Sequence, residues 1–259
     1  MRRSLVFIHG RHSRPVDWVA AVQTGLQAAG RDPLPQYLDL VEVDYADVLH
    51  DVLASMPERE LPIGERSDGF SDRQDMVRLS MHRFTVRPRS VYDFTPKEWV
   101  TRRIISRMPE IQRYQAFPTV RAAVRDSCLQ QLPDGELLII GHSLGAVVAF
   151  DLVHYLPPDT HVNLLFTIGS PMARRQWRDT LAEYGGKFPT ADVGTWVNLV
   201  NKGDWVTAGD GIHLWYSQAI DCYAGLGLGN HAEMHYLSSA PAGVAIGDAL
   251  ARSALGSGQ

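Results

Sequence analysis

Short apolar runs alternate with longer amphipathic stretches along most of the chain. Six runs have the length and composition of buried strands, at residues 5–8, 40–44, 136–140, 161–168, 195–200 and 218–223. Stretches with apolar residues at helical spacing lie between or after them, at residues 14–29, 119–132, 144–155, 174–184 and 243–255. Continuous apolar strands that alternate with helices predict an α/β fold, in which a mostly parallel sheet is covered by helices on both faces.

The alternation stops between residues 57 and 118, a stretch rich in Arg, Met, Phe and Pro. Its capping box, Thr95-Pro96-Lys97-Glu98, predicts a helix that ends at Pro109, and a weaker helix is predicted from 71 to about 84. Because the stretch holds few core residues of its own, we interpret 57–118 as a helical cap inserted within a single domain that spans 1–259. Long insertions are lids or are disordered, and the Met and aromatic content favours a lid.

The composition is ordinary for a globular protein. Of the 259 residues 45% are hydrophobic and 21% charged, and the net charge of −4 indicates no nucleic-acid partner. No apolar stretch approaches the ~20 residues that span a bilayer, and the N-terminal run is too short for a signal peptide. We therefore expect no stable membrane insertion and a cytoplasmic location, with Cys128 and Cys222 as reduced thiols.

The run Gly141-His142-Ser143-Leu144-Gly145 follows a predicted strand and opens a predicted helix. In that context Gly-x-Ser-x-Gly is typical of a nucleophile on a sharp strand-to-helix turn, where the residues two positions away must be small. The helix N-terminus also favours negative charge that develops beside the serine. The pattern predicts Ser143 as a nucleophile; the alternative is a serine that only caps the helix.

Three segments together resemble the α/β-hydrolase superfamily, in particular bacterial esterases and lipases. They are Phe7-Ile8-His9-Gly10, the run around Ser143, and Thr167-Ile168-Gly169-Ser170-Pro171. The resemblance extends from the first strand to the final helix and is weakest in the insertion. It implies the α/β-hydrolase fold, a mostly parallel sheet flanked by helices with an inserted helical cap.

The resemblance also implies an oxyanion hole, which stabilises the negative oxygen of a tetrahedral intermediate. One donor is the backbone N–H of Leu144, directly after the serine. The second comes from the loop after the first strand and is the N–H of Arg11 or His12, of which we choose Arg11. His9 is interpreted as a buried histidine that braces this loop.

An acid and a base are expected after the serine, in that order. Asp204 follows the strand predicted at 195–200 and is the chosen acid. Asp210 and Asp221 are its rivals, but Asp221 falls within the last predicted strand, a poor place for a loop carboxylate.

The base is expected after the last strand, where two histidines qualify. The segment around His231 resembles the histidine loop of several bacterial hydrolases, in which a Tyr-Leu pair follows the histidine by about five residues, as Tyr236 does here. We therefore choose His231, with His235 as the alternative. His213 precedes the last strand and is less suitable.

These residues predict a serine hydrolase that cleaves a carboxylic ester, thioester or lactone in a small-molecule acyl substrate. A peptidase or amidase would use the same three residues, and a non-catalytic protein of this fold that binds a ligand or partner is a further alternative. The sequence has no His-Glu-x-x-His motif and no cysteine pair at ligand spacing, so we expect neither a metal nor a cofactor.

Overall fold

A parallel sheet of six strands organises the part of the chain that the computed structural model describes, which is residues 2–10, 17–54, 109–184, 188–207 and 209–256. In chain order the strands are β1 (Arg3–Ile8), β2 (Asp39–Val43), β3 (Gly135–His142), β4 (Thr160–Ile168), β5 (Val193–Asn201) and β6 (Ala219–Ala224). Every pairing is parallel, and the spatial order is β2-β1-β3-β4-β5-β6. The predicted α/β class with a parallel sheet is confirmed at this level.

Helices cover both faces of the sheet, as predicted. They are α1 (Trp18–Ala28), α2 (Ala46–Ala54), α3 (Pro109–Ala116), α4 (Pro118–Gln131), α5 (Leu144–Leu152), α6 (Arg175–Thr180), α7 (Glu233–Leu237) and α8 (Ala240–Gly256), with 3-10 turns at Pro171–Ala173 and Leu181–Tyr184. Successive side chains of a strand point to opposite faces. In β1, Val6 and Ile8 therefore pack with α2 to α6, whereas Leu5 and Phe7 pack with α1, α7 and α8.

The order of the strands reverses at one point of the sheet. The chain places β2 on one side of β1 and then places β3 on the other side. In open parallel sheets the crevice at such a reversal, outside the carboxyl ends of the strands, is where ligands bind. Ile8 of β1 pairs with Gly141 of β3, so the loops that follow these two strands leave the sheet side by side.

The insertion predicted at 57–118 is described only at its end. Residues 109–118 form α3 and the start of α4, and Tyr114 of α3 is completely buried in one of the two core clusters. Pro109 begins this helix, whereas the sequence predicted that a helix ends there. Proline suits a first helical turn because its missing N–H would have no intrahelical acceptor. The rest of the predicted cap, including its two predicted helices, lies outside the described residues.

Three of the described helices were absent from the prediction, namely α2, α3 and α7, with nine, eight and five residues. All three are shorter than the window of about 11–18 residues over which helical periodicity becomes readable. The helix predicted at 14–29 begins at Trp18, where the Asp17 carboxylate accepts a hydrogen bond from the N–H of Ala20 at 2.9 Å.

None of the described helices combines the length and the apolar character needed to cross a membrane.

Close contacts through glycine hold α1 against α7 and α8. A Cβ added to Gly25 of α1 would lie 2.1 Å from the backbone oxygen of Leu237. One added to Gly243 of α8 would lie 1.9 Å from the backbone oxygen of Gly25. Only glycine permits these approaches, so α1 lies directly against the end of α7 and against α8.

The two cysteines are free thiols, as expected. Cys128 is buried in the core and Cys222 is half-buried. Burial raises the pKa of the Cys128 thiol to about 12, so this thiol stays protonated.

Candidate active site

Ser143 lies on a sharp turn between β3 and α5. Its backbone has φ 56° and ψ −119°, and among the described residues it is the one non-glycine residue with a positive φ. Such backbone costs on the order of 1–3 kcal/mol and persists where the surroundings enforce it. Here the N–H of Ser143 donates to the carbonyl of Ile168 at the end of β4, and the turn is thereby tied to the next strand.

The glycines on either side of Ser143 are required by close backbone contacts. A Cβ on Gly141 would lie 2.5 Å from the backbone oxygen of Gly145. A Cβ on Gly145 would lie 2.2 Å from the backbone oxygen of Ile8, at the end of β1. Both clashes are with backbone, which cannot move aside as a side chain can, so the Gly-x-Ser-x-Gly spacing follows from the packing of α5 over β1 and β3.

Three of the predicted residues form a chain of hydrogen bonds. Nε2 of His231 lies 2.9 Å from Oγ of Ser143, and Nδ1 of His231 lies 2.6 Å from Oδ2 of Asp204. An ionised carboxylate only accepts, so the proton belongs on Nδ1, and Nε2 is left to accept from the serine hydroxyl. The hydroxyl of Ser143 makes no capping hydrogen bond to α5, in contrast to the alternative of a simple helix cap.

The carboxylate of Asp204 is surrounded by donors. Its side chain has no exposed surface. Oδ1 accepts from the backbone N–H of Val206 at 2.7 Å, while Oδ2 accepts from His231 and also from the hydroxyl of Tyr236 at 2.6 Å. Three hydrogen bonds to the charged form compensate a buried carboxylate for lost hydration.

The rival acids lie elsewhere and have other partners. Asp221 lies within β6, as predicted, and its carboxylate accepts from the amide of Asn198 and from the backbone N–H groups of Ile212 and His213. These contacts shape the loop before β6. Asp210 is exposed at the surface.

Three further histidines considered in the sequence analysis differ from His231 in position and partners. His235 is exposed on α7, and the ring of His213 bonds through Nδ1 to the carbonyl oxygen of Ala219. His9 is buried, and its Nε2 lies 2.6 Å from a carboxylate oxygen of Glu42 on β2. The predicted burial of His9 is confirmed, and this contact joins its side chain to the neighbouring strand.

His142 is a residue whose contact the sequence did not predict, although it lies within the serine motif. Its Nε2–H donates to the backbone oxygen of His231 at 2.8 Å, and the two rings are 4.8 Å apart. Burial and, after it, the charge of His231 lower the pKa of the His142 imidazole well below its usual value. His142 therefore stays neutral and holds the loop of His231 beside the serine.

Asn201, at the end of β5, joins the loops of Asp204 and His231. Its amide nitrogen donates to the carbonyl oxygens of Gly227 and Asn230, and its amide oxygen accepts from the N–H groups of Gly203 and Leu226. The side chain is almost completely buried, so these four bonds replace those that water would make. Asparagine is common where a strand passes into a loop, so the sequence around Asn201 does not reveal that its side chain joins two loops.

The region of the predicted oxyanion hole is described in part. Leu144 is the first residue of α5, and the first N–H groups of a helix have no intrahelical acceptor. Gly10 lies against the serine, since a Cβ there would be 2.6 Å from Cβ of Ser143. Arg11 and His12, the candidates for the second donor, lie outside the described residues.

Among the residues that the structure describes, no three His, Cys, Asp or Glu side chains are placed to hold a metal ion together. Comparisons with protein-family models, with curated proteins and with solved structures found no match for this chain.

Proposed function

We propose that this protein is a serine hydrolase of the α/β-hydrolase fold that cleaves a carboxylic ester, thioester or lactone. The observation that carries the proposal is the hydrogen-bonded chain from Ser143 through His231 to Asp204, with distances of 2.9 and 2.6 Å. A hydroxyl, an imidazole and a buried carboxylate in this order match the nucleophile, base and acid of serine hydrolases. Further support comes from the site's location, at the reversal of strand order.

The first half of the proposed reaction acylates the serine. Nε2 of His231 takes the hydroxyl proton as Oγ of Ser143 forms a bond to the acyl carbon, and the carbonyl electron pair moves onto oxygen. When the carbonyl re-forms, the bond to the leaving oxygen or sulfur breaks, and His231 gives that atom the proton. Asp204 keeps the imidazole in the required tautomer and stabilises the imidazolium between the two transfers.

The second half returns the enzyme to its starting state. His231 takes a proton from water as the water oxygen attacks the acyl carbon. Collapse of this intermediate breaks the bond to Oγ of Ser143, which receives the proton, and releases a carboxylic acid. The positive end of α5 faces the turn, so the N–H of Leu144 is proposed as one donor to the oxyanion in both halves.

The proposal is tested by covalent labelling and turnover. A fluorophosphonate probe forms a stable bond only with an activated serine, and mass spectrometry of the labelled peptide identifies the residue. We expect the label on Ser143, and we expect a folded Ser143→Ala variant to lose both the label and the hydrolysis of a short-chain p-nitrophenyl ester. A folded wild-type protein that takes no label, or a Ser143→Ala variant that still hydrolyses the ester, would contradict the proposal.

A matching p-nitroanilide separates ester from amide preference. The geometry of the three residues is the same for both reactions, so the comparison of the two substrates decides between them. Turnover of the anilide at a rate comparable to the ester would indicate an amidase or peptidase instead of an esterase.

A further inference from the structure

We propose that Tyr236 is a positioning residue of this site, which holds the carboxylate of Asp204 in the orientation that His231 requires. This inference rests on the proposed function. The hydroxyl of Tyr236 and Nδ1 of His231 both lie 2.6 Å from the same oxygen, Oδ2 of Asp204. The tyrosine therefore acts on the one atom through which the carboxylate contacts the imidazole.

The position of Tyr236 is fixed independently of the carboxylate. Its side chain is completely buried in the core cluster of α1 and α8, and its hydroxyl also accepts from the N–H of Asn201 at 3.4 Å. The next residue, Leu237, is held by the close approach of Gly25. The phenol is fixed in the core, so its hydrogen bond also fixes the carboxylate of Asp204, which lies on a loop.

The hydroxyl remains a donor at every working pH. Burial, and then the charge and hydrogen bond of Asp204, raise the pKa of the Tyr236 phenol well above its usual value. A protonated phenol has one hydrogen to donate, and the geometry directs it to Oδ2.

The carboxylate depends on this donor because it is buried away from Lys and Arg. Among the described residues, no Lys or Arg forms an ion pair with Asp204, and its ion-pair partner is the imidazole of His231. The carboxylate is therefore held by three hydrogen bonds, from Val206, His231 and Tyr236. Loss of one donor frees the carboxylate to rotate.

The pair Tyr114 and Asp151 offers a matched control. Tyr114 is also completely buried, and its hydroxyl donates to the carboxylate of Asp151 at 3.0 Å, in the opposite core cluster. Tyr114→Phe removes the same kind of bond from the same depth of burial. Because Tyr114 lies away from the proposed site, this variant shows how the loss of such a bond affects stability without any direct effect on the site.

The first experiment measures kcat and KM of ester hydrolysis for Tyr236→Phe, Tyr114→Phe and the wild type. We expect Tyr236→Phe to lower kcat about tenfold with little change in KM, because the carboxylate of Asp204 loses a donor at Oδ2 and holds the imidazole less firmly. Tyr114→Phe is expected to keep the wild-type kcat and KM. A folded Tyr236→Phe variant with the wild-type kcat would overturn the inference.

The second experiment does not depend on turnover. In a Ser143→Ala background, proton NMR observes the low-field signal of the Nδ1–H of His231, which reports the bond to Asp204. We expect Tyr236→Phe to shift this signal and Tyr114→Phe to leave it in place. If the wild type does not react with the fluorophosphonate but Tyr236→Phe shifts the NMR signal, the hydrolase proposal is rejected and the role of the tyrosine contact is kept. If the wild type reacts with the fluorophosphonate but the signal does not move, the role of Tyr236 is rejected and the hydrolase proposal is kept.

A third variant covers the case in which Tyr236→Phe fails to fold. Incorporation of 3-fluorotyrosine at position 236 keeps the hydroxyl and the shape of the ring but makes the phenol a stronger donor. We expect this variant to keep a kcat close to that of the wild type, because the hydrogen bond to Oδ2 of Asp204 is retained. A folded 3-fluorotyrosine variant whose kcat falls tenfold contradicts a role through the hydrogen bond to Asp204.

Discussion

Nε2–H of His142 donates a hydrogen bond to the backbone oxygen of His231 at 2.8 Å, so the residue beside the serine holds the loop that carries the proposed base. The ring is buried, and its Nδ1 lies 3.8 Å from a carboxylate oxygen of Glu233. The neutral ring of His142 is therefore one of the contacts that hold the site together in the folded protein.

The first prediction concerns stability at low pH. Burial lowers the pKa of His142 in the folded protein, so between that pKa and about 6.5 the unfolded chain binds one more proton than the native state. This group therefore makes stability fall as pH drops below about 6.5, by up to about 1.4 kcal/mol per pH unit. His142→Gln keeps an N–H donor and does not titrate, so we expect a shallower loss.

Urea unfolding of both proteins at pH 7.5 and pH 5 measures this difference. The unchanged residues titrate equally in the two proteins, so the comparison isolates His142. Equal losses of unfolding free energy in wild type and His142→Gln would show that the ring does not titrate as the structure requires.

The second prediction distinguishes the acid from its rival in β6. Asp204→Asn is expected to lower kcat by roughly 10⁴-fold, because an amide nitrogen beside Nδ1 favours the wrong imidazole tautomer. Asp221→Asn is the matched control, since Asp221 bonds Asn198 and backbone N–H groups and does not contact His231. Steady-state hydrolysis of a p-nitrophenyl ester by both folded variants is the measurement, and comparable losses in the two would argue against the choice of Asp204.

The third prediction concerns the space beside the base. Gly169 has φ 58°, and a Cβ there would lie 3.1 Å from Cε1 of His231. Gly169→Ala is therefore expected both to strain the backbone, by about 1–2 kcal/mol, and to displace the ring from the serine. The ring of His231 must then move by a few tenths of an ångström, and we expect kcat to fall several-fold because the transfer of the serine proton depends on this geometry.

Gly30 offers the matched control for that variant. Its φ is 63°, but nothing lies within 4 Å of an added Cβ. Gly30→Ala should lose a similar amount of unfolding free energy and keep its kcat. If both variants keep full activity, Gly169 does not set the position of the ring.

Local sequence was sufficient to predict the features that depend on neighbouring residues. The alternation of apolar runs and amphipathic stretches predicted the strands, since burial on both faces of a parallel sheet demands continuous apolar residues. The turn at Ser143 was also readable, because the two glycines that avoid backbone clashes lie two residues on either side of it. By contrast, α2 and α7 are too short to show a period, and α3 was assigned to the insertion although Tyr114 packs into the core.

Order along the chain also suggested Ser143, Asp204 and His231, but it left His235 and Asp210 as candidates. Only the tertiary structure placed one imidazole between the serine and a buried carboxylate. The contacts of His142, Asn201 and Tyr236 were likewise decided there, since each joins segments at least 25 residues apart. A sequence pattern records local spacing and burial, whereas such contacts depend on how separate strands and loops converge at one edge of the sheet.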